Sequence, residues 1–432
     1  MPTPSAAGSP STGPGPLEAL LAAADRALLA WEQGASLDDL LATDPPPPPA
    51  LRHGLFALFR HRAAVDWLIA RFAPRPPRPR LLRILRWVFI QVLFQDGVRP
   101  EAAANAAVAR VRRRYGSAEA GFLNAVLRAA LAGGRAPLAA LLAESAPPAV
   151  RRGLGPELEA DWGVWMLPAQ LERLAVVLQD EAPLTFRLRP GAPAPEPAWE
   201  AVPVNATVFW RCGCPAALLA SAAFARGDLY IQDPSTRLAP QLVAARPGER
   251  IADLCAAPGG KALLLAEALG AAADTASSSP SLLLCADRSP VRLRRLRGNL
   301  DRCGVRIPVL ALAADATRPP LRPGEWDAVL LDVPCSNTGV IRRRPDVRWR
   351  FTRARLADLA ALQARLLDGA APLVRPGGRL VYSTCSLEPA ENRGQVQAFL
   401  ERHPEFRLVQ DEALFPDTDH DGGYAARLER LP

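Results

Sequence analysis

The chain has 432 residues, 49% of them hydrophobic and 22% charged, with a formal net charge of +8. That length exceeds one ordinary core, so two or three domains are expected in a soluble globular protein. No segment runs ~18 residues without a polar interruption; Arg86 and Gln91 break the nearest, "ILRWVFIQVLF", so no membrane span is expected. The basic balance favours a polyanionic partner, with nucleic acid as the default.

The opening "MPTPSAAGSPSTGPGP" lacks a charged n-region followed by an apolar h-region, so residues 1–16 read as a disordered tail rather than a secretory signal. Seven cysteines without such a signal imply reduced thiols and a cytoplasmic protein. A zinc site is not expected, because Cys212 and Cys214 stand one residue apart and the four histidines are scattered. Residues 17–150 read as an all-α domain: "LEALLAAADRALLAWEQ", "LRHGLFALFRHRAAVDWLIARF", "PRLLRILRWVFIQVLFQ" and two further stretches repeat apolar residues at three- and four-residue spacing. The run "TDPPPPPA" is a stiff connector within it. Residues 151–238 are mixed, with "PGAPAPEPAWEAVPV" read as a loop.

From residue 239 to 432 the texture is α/β. The runs "RIADLCA", "SLLLCADRS", "VLALAADAT", "WDAVLLDVPC" and "GGRLVYSTCS" alternate with helical stretches, which implies a parallel sheet with right-handed crossovers. The insert "AAADTASSSPS" reads as a surface loop. Each run ends in a polar or reactive residue: Asp253 and Cys255, Asp287, Asp315, Asp332 and Cys335, and Cys385. Ligands of open parallel sheets bind beyond these carboxyl ends.

The loop "CAAPGGK" follows the first strand and opens a helix. Small residues there let the backbone approach a ligand, and a helix N-terminus favours negative charge. A Walker loop is excluded because Cys255 and Ala262 stand where Gly and Ser or Thr are needed, and G-x-G-x-x-G is absent. An adenosine-type ligand without pyrophosphate fits better, with Asp287 holding ribose hydroxyls and Asp315 near the adenine. Lys261 in this loop is the chain's single lysine; every other basic position is arginine. A compact ammonium fits a tight Gly-Gly turn where the planar guanidinium fork does not. Cys335 in "DVPCSNTG" and Cys385 in "YSTCSLEPAEN" are the thiols placed beside the ligand, whereas Cys285 and Cys303 read as core. Arg342, Arg343, Arg344, Arg348 and Arg350 of "IRRRPDVRWR" read as phosphate-binding and thiolate-favouring charges.

"DLCAAPGGK", "LLDVPCSNTGVIRRRPDVRW" and "LVYSTCSLEPAEN", in this order, resemble the RNA (cytosine-5) methyltransferases, most closely the bacterial 16S ribosomal RNA enzymes of the RsmB (Fmu/Sun) type. "GDLYIQDPST" is similar to that family's segment before the first motif. "LRILRWVFIQVLF" and "GFLNAVLRAAL" are similar to its NusB-like N-terminal domain. The resemblance implies a Rossmann-like S-adenosylmethionine-dependent methyltransferase domain behind an all-α NusB-like RNA-binding domain. It implies that Cys255, Ala256, Ala257, Pro258, Gly259, Gly260 and Lys261 form the donor loop, with Asp287, Asp315 and Asp332 as further contacts. Cys385 would be the nucleophile, Cys335 would assist product release, and Asp332 would share in acid catalysis. The Glu-Asn-Val of DNA cytosine-5 enzymes and the Asp/Asn-Pro-Pro-aromatic signature of amino-group methyltransferases are both absent. Two departures stand out: "HDGGYAARLERLP" has only Tyr424 where the family is aromatic-rich, and Arg189 replaces an Asn in "FRLRP". The expected activity is methylation of cytosine carbon 5 in RNA, most plausibly 16S rRNA, by a monomer through a covalent Cys–cytosine intermediate. The alternatives are the same chemistry on tRNA, or a catalytically idle RNA-binding assembly factor.

Overall fold

The computed structural model describes residues 15–193, 199–204, 207–271 and 280–432. Residues 1–14 of the expected tail, the centre of the proline-rich loop and most of the "AAADTASSSPS" insert lie outside the described residues, and the tail's last residue, Pro16, opens the first helix. The chain divides into two compact units, Met1–Pro156 with Arg344–Trp349, and Glu157–Arg343 with Arg350–Pro432.

The first unit is helical. Its helices Pro16–Glu32, Pro49–Phe72, Pro79–Phe94, Pro100–Tyr115 and Pro148–Arg152 all start on proline. Proline's missing N–H costs nothing in a first turn and its fixed φ suits a helix, so the proline-rich composition serves here to start helices. Pro79–Phe94 is the central helix, buried nearly all round from Leu81 to Leu93. The arginines that interrupt its apolar run are buried but paired: Arg83 Nε with Asp25 at 2.9 Å, and Arg86 Nε with Asp66 at 2.7 Å. Among the described residues no single helix is long and apolar enough to cross a membrane.

The segment Arg344–Trp349 packs within this helical unit, which corrects the reading of its arginines as free phosphate ligands. Arg344 pairs with Asp38 at 3.0 Å, and Asp346 accepts from Leu37 N at 3.1 Å. Buried Arg348 donates to the Arg60 and Gly153 carbonyls at 3.2 Å, and Trp349 Nε1 donates to Phe59 O at 2.7 Å. Buried Asp346 and Arg348 are committed to structure because groups of their own unit reach them first, whereas Arg344 stays exposed beside Asp38.

The second unit begins with helices Pro156–Trp165 and Pro168–Gln179 and a four-stranded antiparallel sheet. Its strands are β1 (Thr185–Leu188), β2 (Glu200–Val204), β3 (Thr207–Arg211) and β4 (Leu229–Ile231), in the order β2-β3-β1-β4. Strand β2 occupies the end of the segment read as loop. As an edge strand it tolerates Pro203, whose missing N–H a central strand could not.

A seven-stranded sheet follows: β5 (Arg250–Asp253), β6 (Leu282–Asp287), β7 (Val309–Ala313), β8 (Trp326–Asp332), β9 (Val374–Thr384), β10 (Phe406–Leu414) and β11 (Gly423–Arg430). Its order is β10-β11-β9-β8-β5-β6-β7, parallel from β5 to β9 with β10 and β11 antiparallel. All five strands expected from the sequence are present. The C-terminal "GYAARLER", whose aromatic content departs from the family, is β11, inserted between β10 and β9. Chain order runs β5-β6-β7 on one side and β8-β9 on the other, so β5 and β8 flank the switch point. Asp253 lies in register with Leu330, two residues before Asp332.

Candidate active site

The donor-loop sequence leaves β5 at Asp253 and enters the helix Gly260–Gly270. The Ala257–Pro258 peptide is cis, and Gly259 has φ +111°, a region that favours glycine. Arg292 donates to Ala257 O, and Asn299 Nδ2 to Pro258 O at 3.0 Å, so the helix Pro290–Arg302 holds the loop's carbonyls. A Cβ on Gly260 would stand 3.3 Å from Tyr230 Cε1 and Gln232 Nε2, both in "GDLYIQDPST". That segment therefore forms the wall against which the loop must be small. Burial, then the neighbouring Asp253 charge, pushes the Cys255 thiol upward, so Cys255 does not offer a thiolate. Burial likewise raises Cys285 and Cys303, in keeping with core thiols.

Carboxylates crowd the switch point. Asp253 is fully buried, its Oδ1 accepting from Cys255 N at 3.3 Å and its Oδ2 without a partner. Burial first, then Asp332, lifts its pKa to about 7. An unfolded Asp ionises near ~4, so this group's stabilising contribution is complete below pH ~4 and is lost as pH rises to about 7. Asp253→Asn is expected to unfold at a higher temperature than the parent, by a margin that grows between pH ~4 and ~7 and then stays level, reaching on the order of 2–4 kcal/mol. A pH series of thermal midpoints for both proteins measures it. Glu388, raised to about 7 chiefly by burial, has the same sign and leaves a residual slope in the variant.

Lys261 Nζ meets Asp332 Oδ2 at 2.7 Å. Burial opposes its charge, but the Asp332 carboxylate and its hydrogen bond outweigh this, and the ammonium is held more firmly than usual. Asp332, the last residue of β8, is thus the acid that Lys261 pairs with across the switch point. Lys261→Arg is expected to weaken S-adenosylmethionine binding roughly tenfold, since the fork cannot occupy a point-charge site. Calorimetric titration of the donor tests this, and unchanged affinity would refute it.

The two thiols converge. Cys335 Sγ and Cys385 Sγ are 3.3 Å apart, on the loops that follow β8 and β9. Cys335 is raised well above an ordinary thiol, first by its hydrogen bond to Cys385 and then by burial. Asn337, in the left-handed region at φ +64°, accepts from Cys385 Sγ at 3.2 Å and donates to Cys335 O at 2.9 Å. Buried Glu391 stitches the loops together, accepting from Ser336 N and from Gln363 Nε2, each at 2.9 Å. Tyr382 OH donates to Glu391 O at 2.7 Å, and Ser383 Oγ to Asp332 Oδ1 at 3.2 Å.

The structure thus joins Lys261 to Asp332 and Cys335 to Cys385. It gives Asp287 and Asp315 local partners: Ser289 N at 2.9 Å and Arg292 at 3.2 Å for the first, and Thr317 N at 2.9 Å for the second. Asp315 lies exposed, two residues beyond β7. Arg342 and Arg343 are further corrections to the phosphate-binding reading. Arg342 donates to His420 O at 2.7 Å, and Arg343 pairs with Asp421 at 2.5 Å and Asp233 at 2.7 Å. Asn337, Ser383 and Glu391 were missed. All three lie inside the quoted motifs, but only the fold shows their partners.

Residues 240–428 match the family model described as 16S rRNA methyltransferase RsmB/F, and residues 19–132 match the NusB family. A Synechocystis sp. protein named as a probable ribosomal RNA small subunit methyltransferase B is 31% identical over 92% of this chain and 91% of its own. The chain belongs to the RsmB/F family. The Vibrio cholerae ribosomal RNA small subunit methyltransferase B is 41% identical over 48% of this chain and 47% of its own. In fold, the crystal structure of PH0851 matches with a TM-score of 0.72 at 23% identity, over 97% of this chain and 99% of that one. As an RsmB/F protein the chain is an S-adenosylmethionine-dependent RNA methyltransferase with a helical NusB domain.

The site fits that donor. The buried, unpartnered Asp253 Oδ2 leaves a polar valence under the loop. Asp287 offers a carboxylate at the end of β6, and the Lys261–Asp332 pair offers both charges next to the thiols.

Proposed function

We propose that the chain methylates carbon 5 of a cytosine in 16S rRNA, with Cys385 as nucleophile and Cys335 as the release group. The observation that carries this is the 3.3 Å contact between Cys335 Sγ and Cys385 Sγ on the loops that follow β8 and β9. Cytosine carbon 5 is a poor nucleophile. Attack of the Cys385 thiolate on carbon 6 makes it enamine-like. Bound S-adenosylmethionine supplies an electrophilic methyl group for that carbon. Lys261, which holds its proton, and Asp332 form a charge pair that can disperse the charge developing at ring nitrogen 3. Cys335, its own proton first released to solvent, takes the carbon-5 proton as a thiolate; the electron pair of the C5–H bond then expels Cys385 from carbon 6 and the Cys385 thiolate is restored, so each methyl transfer releases one proton overall. A duplex hides carbon 6 in the stack, so the target base must be unstacked to reach the sulfur.

In this reading the donor loop Cys255–Lys261, Asp287 and Asp315 contact the methyl donor, and the helical residues 17–150 and the segment 151–238 serve RNA binding. The protein acts as a cytoplasmic monomer. Incubation with labelled methyl donor and unmodified 16S rRNA, in parallel with tRNA, followed by nucleoside mass spectrometry, tests the reading. 5-Methylcytidine in 16S rRNA is expected. Label in tRNA alone would move the substrate, and label on another atom would overturn the thiol chemistry.

A further inference from the structure

The helical unit holds a second concentration of cations in a segment without a part in the chemistry above. The run "RFAPRPPRPR" (71–80) carries Arg71, Arg75, Arg78 and Arg80 with Pro74, Pro76, Pro77 and Pro79 among them. Arg78 has φ −58° and ψ 147°, polyproline II values. Between the helices that end at Phe72 and start at Pro79, a strap so braced by proline keeps Arg75 and Arg78 extended, at ~3.1 Å per residue, with little freedom to lose on binding. Arg71, Arg75 and Arg78 are exposed, as are Arg112, Arg113 and Arg114 at the end of the helix Pro100–Tyr115.

Strap and helix end meet on aromatic rings. The Arg80 and Arg114 guanidinium carbons lie 4.8 and 5.7 Å from the Tyr115 ring centre, and that of Arg75 lies 5.5 Å from Phe122. Arg114 Nε donates to Tyr115 OH at 3.1 Å. Two acids stand among them: Glu119 accepts from Arg78 Nη1 at 2.8 Å and Arg80 Nε at 2.9 Å, and Glu18 pairs with Arg113. Arg75, Arg78, Arg80 and Arg114 against the one Glu119 carboxylate still leave the centre of the strip positive. Aromatic backing fixes the guanidinium planes, and fixed planes offer stacking faces to bases as well as forks to phosphates.

We propose that this strip, centred on Arg75, Arg78, Arg80, Arg114 and Tyr115, docks unpaired RNA through its phosphates with bases stacked on the guanidinium planes. The proposal rests on RNA being the substrate and assigns the surface that holds it. An acidic peptide would satisfy the charge but would leave the stacking faces unused.

The test uses the full-length protein and an unmodified 16S rRNA transcript. Arg75, Arg78 and Arg114 are replaced together by Gln, leaving Arg80 to hold Glu119. Removing three phosphate contacts is expected to flatten the log affinity against log salt slope by about 2 and to weaken binding ~100-fold near 0.1 M salt. KM for the transcript should rise while kcat at saturating RNA is kept. The triple Arg→Lys variant should restore the salt slope but remain several-fold weaker, because lysine cannot stack. Wild-type affinity and slope in the Gln variant would overturn the proposal, as would polyglutamate competing as well as a single-stranded RNA of equal charge. Methyl transfer by the wild type distinguishes the failures: if it persists while the Gln variant binds normally, the function stands and the strip does not serve it. If the wild type neither binds nor methylates the transcript, both readings fall.

Discussion

Cys385→Ala is expected to lose RNA methylation to below about 10⁻⁴ of the parent rate, because the covalent route has no other nucleophile at carbon 6. Cys335→Ala should lose turnover for a different reason: attack and methyl transfer proceed, the carbon-5 proton finds no base, and the protein stays bonded to RNA. Incubated with unmodified RNA and methyl donor, Cys335→Ala should give a denaturation-resistant protein–RNA band and Cys385→Ala none. The reverse pattern would exchange the two roles. The geometry favours the stated order. Cys335 is buried and its thiol is raised well above the ordinary range, while Cys385 is less enclosed and donates through Sγ to Asn337 Oδ1. A nucleophile must be reachable by the base and a proton acceptor need only be adjacent. Sequencing the trapped RNA would also locate the target.

Gly339→Ala is expected to cost stability and activity together. A Cβ there would lie 2.6 Å from Gly422 O, 2.7 Å from Gly422 C and 2.9 Å from Cys385 O, all backbone atoms that cannot rotate away. Gly339 N donates to Cys385 O at 3.0 Å, and Gly422 N to Gly339 O at 2.8 Å, so this glycine clamps the nucleophile loop and the start of β11 at one point. Overpacking into main chain costs typically 1–3 kcal/mol or more. Displacing Cys385 O by even a few tenths of an ångström would misplace the nucleophile, with an expected loss of about 100-fold or more in kcat. The thermal midpoint and single-turnover methylation should fall in step. A variant with normal stability and normal turnover would mean the clamp yields freely.

The motifs were legible because their chemistry demands particular residue types at short range. "CAAPGGK" reads as a ligand loop from its small residues alone, and Cys335 and Cys385 stand out as thiols at strand ends. The parallel sheet was legible because buried strands write continuous apolar runs between helical stretches. β11 was not: "GYAARLER" has too little β-branched or aromatic content to announce a strand, and it forms one because β9 and β10 pair with it on both sides. Arg342, Arg343 and Arg348 of "IRRRPDVRWR" were misread for a related reason. Charge on paper looks solvent-facing, but Asp421 reaches Arg343 from 78 residues away, and Arg60 O reaches Arg348 from 288.

By itself, then, the sequence determined which groups are available: a donor loop with its single lysine, four strand-end acids and two thiols in separate motifs. Only the tertiary structure decided their pairing. Cys335 and Cys385 stand 50 residues apart along the chain and Lys261 and Asp332 stand 71 apart. Neighbouring parallel strands of one sheet bring their carboxyl ends together, which sets each group beside its partner.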